Sequence, residues 1–419
     1  MRHRGVRVLV GVAMLGALGL APAGAGTAGD WQQRHALNVA HAGGDLEAPH
    51  STLFAMKTAV AAGTDVLEMD VRLSADGVLM VHHDTTVDRT TEASGEMRSF
   101  TAAELAALDN GYWFVPDCWS CHGLDPSEYR YRGMRTGAVP PPAGFGPDDF
   151  AIPTLAQVAA TFPDRLLDVE IKDGPDGVAT AEALAAFIAT NGPADRYLVA
   201  SFDDALLAHF KPLAPGVATS PGLDTMITWF ATRGPLPEHE VLQVPPEFSG
   251  IQVVTQQFVD DAHANDLAVW VWFNGNDDDQ AVEWQRLVDL GVDALLTGKP
   301  AAAETVIEDN DRRFSAAPDV GPTATVRGRR AAIRVGCPSV HVAICAGRLV
   351  VAAEVGGRFR VVGDHDVTVA RGDTRAVRVQ LAPGALAALR GGSLDAIVAV
   401  IPTNRDTSAT LASLELTRG

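Results

Sequence analysis

Between residues 66 and 84 the chain reads VLEMDVRLSADGVLMVHHD. Glu68 and Asp70 stand among Val66, Leu67, Met69 and Val71, an apolar run in which a bare charge is costly unless something compensates it. Residues two apart on a strand share a face, so the two carboxylates project together. The pattern returns in RLLDVEIK (165–172), where Glu170 and Lys172 are again two apart. Histidines close two further runs, His41 after ALNVA and His83 after VLMVH, with His82 turned away by strand alternation. Three carboxylates with open positions are hard oxygen ligands that suit Ca²⁺ or Mg²⁺ rather than zinc. A divalent ion beside Lys172 makes a seat for a phosphate. Two histidines on either side of it could serve as general base and general acid in an in-line displacement.

Such a set works only if separate strands deliver it to one place. Short β-like runs alternate with Ala/Leu-rich helical runs from ALNVAH (36–41) to DALLTG (293–298), which argues for parallel strands with helical crossovers. The span 30–308 has the size of a closed (β/α)8 TIM-type barrel, whose carboxyl-end loops form one mouth. Nine strand candidates compete for eight places, and GVATS (216–220) is the weakest. Ser74-Ala75-Asp76-Gly77 is too short for a crossover helix, so the second and third candidates must connect irregularly. Residues 109–152, rich in Gly, Pro and aromatics, read as an inserted, ordered lid. NGNDDD (274–279) lacks the spacing of an EF-hand and is expected to cap a helix through Asp277 or a neighbour. A linker is expected at 309–322 and an all-β, sandwich-like module at 323–419, where short alternating runs are separated by Gly and Asp.

Composition frames the rest. Arg2, Arg4 and Arg7 precede an apolar stretch and Ala23-Gly24-Ala25, so residues 1–25 read as a signal peptide; no cysteine follows to make a lipoprotein. The expected location is therefore secreted. Without those three arginines the formal charge of −19 becomes −22, which argues against nucleic acid as a partner. Four cysteines in an exported chain suggest disulfides, with Cys118–Cys121 and Cys337–Cys345 needing the least chain closure. Cys118-Trp-Ser-Cys121-His122 also matches the c-type haem attachment pattern, without a second haem feature to support it.

Taken together, the motifs resemble those of the glycerophosphodiester phosphodiesterases over roughly residues 36–308. The family's His-Arg-Gly opening stands here as His41-Ala42-Gly43, its Glu-x-Asp as Glu68-Met69-Asp70, and its His-Asp block as HDTTVDRTT (83–91). Its Glu-x-Lys is Glu170-Ile171-Lys172 and its Ser-Phe is Ser201-Phe202. The resemblance implies that Glu68, Asp70 and Glu170 bind the divalent ion and that His41 and His83 do acid–base work. It implies a small phosphodiester as substrate, with glycerol 3-phosphate and an alcohol as products. Ala42 replaces an arginine that helps hold the phosphate, and His50 or Lys172 is expected to supply the missing charge. Asn274 matches the end of the family's Trp-Thr-Val-Asn, and Trp272 lies one place from its tryptophan, so both are expected near the substrate. Two alternatives stay open: a related enzyme acting on lysophospholipid, sphingolipid or a teichoic-type wall polymer, and a non-catalytic surface-binding protein. For the C-terminal module the expectation is a spacer or a contact with the cell surface.

Overall fold

A computed structural model of the chain describes residues 36–315, 319–337, 344–370, 374–389, 392–402 and 410–419. The expected signal segment lies outside these residues.

The first strand, β1 (Leu37–Ala40), leads through helix α1 (Leu53–Ala62) to β2 (Val66–Leu73). Thr52 caps α1 by accepting the Ala55 N–H at 3.1 Å, and Gly63 stops the helix at φ 113°, a conformation that only glycine adopts without strain. Next come β3 (Leu79–Val81), α2 (Ala102–Ala107), α3 (Leu155–Thr161) and β4 (Leu166–Ile171). The alternation then becomes regular: α4 (Gly177–Asn191), β5 (Tyr197–Ala200), α5 (Asp204–Phe210), β6 (Ala218–Thr219), α6 (Leu223–Thr232) and β7 (Val241–Val244). A small hairpin, β8 (Glu247–Phe248) and β9 (Ile251–Gln252), precedes α7 (Gln256–Ala264), β10 (Ala268–Trp272), α8 (Ala281–Leu290), β11 (Ala294–Thr297) and α9 (Pro300–Ser315).

Eight strands run parallel in the order β6-β5-β4-β2-β1-β11-β10-β7. The ring is drawn together between its end strands by the Glu240 N–H, which donates to the Thr219 carbonyl at 3.1 Å. This is the expected TIM-type barrel, with two changes in which runs build it. The VLMVHHD run is β3, which pairs antiparallel with the end of β2 and stands outside the parallel set. GIQVVT contributes only Ile251–Gln252 to the β8–β9 hairpin, and the barrel strand at that place is the proline-flanked VLQV of β7. GVATS, the weakest candidate, does supply a barrel strand, β6.

Alternation sorts the inner face. Leu37, Val39, Val66 and Leu166 belong to the apolar plug inside the ring, with Trp270 and Leu296. The next inward positions toward the carboxyl ends are His41, Glu68, Asp70, Asp168 and Glu170. Apolar residues thus fill the floor and ionisable ones the mouth, the general layout of such barrels. Within residues 109–152, Phe114, Tyr131, Met134 and Phe150 pack with Phe54 and Ala55 of α1, and the Phe54 and Phe150 rings stack at 4.7 Å.

Helix α9 continues to Ser315 and β12 (Asp319–Arg327) begins four residues later, so both enter the stretch expected as linker. The all-β module follows with β13 (Arg330–Gly336), β14 (Ile344–Val355), β15 (Arg358–Ala370), β16 (Thr374–Gln380), helix α10 (Pro383–Ala388), β17 (Ser393–Pro402) and β18 (Thr410–Arg418). Its seven strands form one sheet, β15-β14-β17-β18-β12-β13-β16, around a core that includes Ile333, Leu349, Val398 and Leu416. The sheet curls until its ends approach: Ala382, just after β16, donates its N–H to Val362 of β15 at 2.7 Å.

Candidate active site

The parallel register sets Asp70 of β2 beside Glu170 of β4 and, one step deeper, Glu68 beside Asp168. Glu68, Asp70 and Glu170 each offer a carboxylate oxygen, and these lie within 4.8 Å of one another. Lys172 closes the group, its Nζ 3.0 Å from Asp70 Oδ1 and 2.9 Å from Glu170 Oε1. Burial opposes its charge, but those two carboxylates outweigh burial and hold the ammonium more firmly protonated than usual. One ammonium does not balance three carboxylates. Burial and the neighbouring Asp70 push Glu68 up to about 8. Against the effect of burial, Lys172 and the two histidines hold Asp70 down at about 2. Asp70 Oδ2 is buried and has no hydrogen-bond partner. Clustered hard oxygens, an unsatisfied buried lone pair and an acid driven upward by its neighbour together fit a divalent cation of the Ca²⁺ or Mg²⁺ kind.

The two histidines are held alike. His41 begins a tight turn in which Ala42 adopts φ 44°, Gly43 φ 81° and Gly44 φ 95°. That turn aims the Ala42 N–H at Glu68 Oε2, 2.7 Å away, and brings His41 Nδ1 to 3.1 Å from Asp45 Oδ1. Burial works against a charge on His41, but Asp45, Glu68 and Asp70 prevail and push it up to about 10. His83 arrives on the β2–β3 hairpin, where the His82 N–H donates to the Asp70 carbonyl at 3.0 Å. Its Nδ1 lies 2.6 Å from Asp84 Oδ1, and Arg89 Nε donates to the other oxygen of Asp84 at 2.5 Å. With each Nδ1 engaged by a carboxylate, Nε2 is the ring nitrogen left for substrate.

Both imidazoles, Glu68, Glu170 and Lys172 open onto one cavity of about 630 Å³, which Trp272 and Asn274 also line. His50 behaves differently from its expected role. It is 4% exposed and is absent from the cavity wall. Its ring stands edge-on to Trp119 and His83, at 5.2 and 6.1 Å. Burial, with Arg89 and His83 adding to it, keeps it neutral, so it brings no positive charge. A cation that does stand beside the His83 side chain is Arg89, which shares Asp84 with it and whose guanidinium lies 3.9 Å from the centre of the Trp119 ring. The helix-capping role expected of NGNDDD is not filled: Gln280 precedes α8 without a side-chain cap, while Asp279 accepts from Trp284, Thr297 and Gly298.

Sequence reading passed over Asp45, Arg89, Trp119 and Asp168. Asp45 was findable from its place four residues after His41, and Asp168 from its place two before Glu170. Trp119 had no local signal. It comes from the insertion, next to Cys118, which is joined to Cys121 by a disulfide. Cys337 is also disulfide-bonded, whereas the side chain of Cys345 lies outside the described residues.

Fold and site define a class: a (β/α)8 enzyme with an acidic cluster and two carboxylate-held histidines at the carboxyl mouth. Residues 41–302 match the model of the glycerophosphoryl diester phosphodiesterase family, and the chain belongs to it. The glycerophosphodiester phosphodiesterase of Caldanaerobacter subterraneus subsp. tengcongensis is 28% identical over 280 residues, 65% of this chain and 96% of that relative. The putative glycerophosphodiester phosphodiesterase YhdW of Bacillus subtilis is 25% identical over 267 residues, 62% of this chain and 94% of the relative. Among solved structures, the glycerophosphoryl diester phosphodiesterase domain of protein Rv2277c from Mycobacterium tuberculosis shares the fold. Its TM-score is 0.50 at 21% identity, covering 65% of this chain and 98% of that one.

Proposed function

We propose that the chain is a metal-dependent phosphodiesterase that cleaves glycerophosphodiesters to glycerol 3-phosphate and an alcohol. The observation that carries this reading is the meeting of Glu68, Asp70 and Glu170 beside two histidines in one cavity. The carboxylates would hold Ca²⁺ or Mg²⁺, which when bound polarises a phosphoryl oxygen and offsets developing charge. Lys172 favours the ionised forms of Asp70 and Glu170, opposing the burial that raises Glu170, and adds a fixed positive charge at the phosphate seat. His83 Nε2 takes a proton from the attacking water as the new P–O bond forms. His41, the imidazole held protonated, gives its proton to the alcohol oxygen as the old P–O bond breaks. Where the glycerol's own neighbouring hydroxyl attacks instead, a cyclic phosphate forms first, and His83 removes that hydroxyl's proton. Trp272 and Asn274 line the wall against which the substrate rests.

Export belongs to the same reading and is supported by the basic, apolar and small-residue order of residues 1–25. A spacer or cell-surface role for the C-terminal module remains part of it. The deciding experiment assays purified chain on glycerophosphocholine with Ca²⁺, with Mg²⁺ and with a chelator. Release of glycerol 3-phosphate that the chelator abolishes is the expected result; no release under any ion would overturn the reading.

A further inference from the structure

The barrel mouth is divided. Around the ring, β1, β2 and β4 and the β2–β3 hairpin carry the carboxylates, the histidines and Lys172. The other arc runs β5-β6-β7-β10 and contributes a different surface to the same cavity. Phe202 follows β5, Leu223 and Ile227 lie on α6 after β6, and Phe248 and Ile251 form the hairpin after β7. They are 50%, 38%, 53%, 43% and 56% exposed. With Trp119, six of the fourteen exposed large apolar side chains among the described residues therefore face one cavity. On α6 the lining positions 223, 226, 227 and 230 repeat as i, i+3, i+4 and i+7, an apolar stripe that borders the hollow, with Met226 and Phe230 also packed against the core and Leu223 and Ile227 left exposed. Among the described residues, the one ionisable side chain that this arc brings to the cavity is Asp279. Asp279, which follows β10, spends its oxygens on Trp284, Thr297 and Gly298.

We infer that the substrate is a single-chain phosphodiester lipid, whose hydrocarbon chain lies along the β5-β6-β7-β10 arc while its phosphate sits at the carboxylates. This rests on the phosphodiesterase reading and narrows its substrate class. Exposed apolar surface of this extent marks a binding site, and a charged headgroup placed along it would find no free ionic partner. A chain is favoured over docking on a bilayer because the five side chains and the carboxylates share one cavity, so one molecule can reach both.

The test uses the full chain and phosphocholine diesters of glycerol carrying no acyl chain or one of six to twelve carbons, kept below their aggregation concentrations. With chelator present, binding is followed by calorimetry. The dissociation constant should fall about fourfold per methylene over the first several carbons. With Ca²⁺ or Mg²⁺, kcat/KM should rise in parallel. Ile227→Asn and Phe248→Ser should each lower the ratio of chain-bearing to chainless kcat/KM about tenfold, while Val282→Asn, at a residue 85% exposed and away from the cavity, should not. Turnover of all substrates with no dependence on chain length would overturn the inference and leave the phosphodiesterase standing. So would a chain-length effect that appears only on vesicles, which would make the rim a membrane contact. Affinity that rises with chain length without turnover under any ion would remove the phosphodiesterase reading and retain the chain site.

Discussion

Glu68 and Asp70 are near neighbours driven in opposite directions, one up to about 8 and the other down to about 2. This gives a linkage that can be measured. Glu68 is raised above its unfolded value, so its contribution to stability is full below about pH 4.5 and is lost as pH climbs through about 8. A divalent cation that prefers the ionised form removes that loss. The gap in Tm between metal-loaded and chelated protein should therefore widen from pH 6 to pH 9 and narrow in Glu68→Gln; a constant gap would deny Glu68 a place at the ion. His41→Ala and His83→Ala should each lower kcat/KM by about 10²–10⁴ on glycerophosphocholine. On a nitrophenyl phosphodiester, whose leaving group departs without a proton, the His41→Ala loss should shrink toward unity while the His83→Ala loss persists. Equal losses on both substrates would contradict the assigned roles. The acids and histidines were legible because charge inside a strand pattern is conspicuous. Arg89 was less so, because its place in the HDTTVDRTT block does not reveal the bond to Asp84, and Asp45 had only its place four residues after His41 to mark it.

At the scale of elements, tight backbone does much of the positioning. Gly44 lies at φ 95°, and a Cβ there would meet Pro300 Cγ at 2.8 Å, at the start of α9. Gly44→Ala should cost about 1–3 kcal/mol of stability through backbone strain, plus that contact. By disturbing the turn that bears His41, it should also lower kcat more than it raises KM. Urea unfolding and steady-state kinetics would show both. Arg72 ties the end of β2 to two neighbours, donating to the carbonyls of His83 and Asp173 at 2.9 Å each. Arg72→Met should reduce kcat while far-ultraviolet circular dichroism stays native. The helices and most strands were readable from alternation. β7 was missed because VLQV is a four-residue run between Glu240 and a Pro-Pro pair, too short to show a period. β3 was misassigned to the ring because composition reveals a strand and not its partner, and only the brevity of the Ser74–Gly77 turn hinted at an antiparallel return.

For the molecule as a whole, the barrel is least continuous where β6 meets β7, and side chains reinforce that join. Thr219 Oγ1 lies 3.0 Å from His239 Nδ1 and accepts from Lys211 Nζ at 2.9 Å, while Lys211 also bonds the Glu238 carbonyl. Burial and the Lys211 charge push His239 down to about 4. Its stabilising contribution is present above about pH 6.5 and is lost as pH falls toward 4. Wild type should lose more Tm than His239→Gln across that window; parallel curves would remove His239 from the seam. The hairpin of β2 and β3 has a wider effect. Asp70 and His83 ride on its two facing arms, laced together backbone to backbone, whereas His41 belongs to a different limb of the ring. Under the proposed function, an ion ligand and one proton carrier would thus share a single backbone support, and the spacing between the two histidines would be set by how β1 seats against β2.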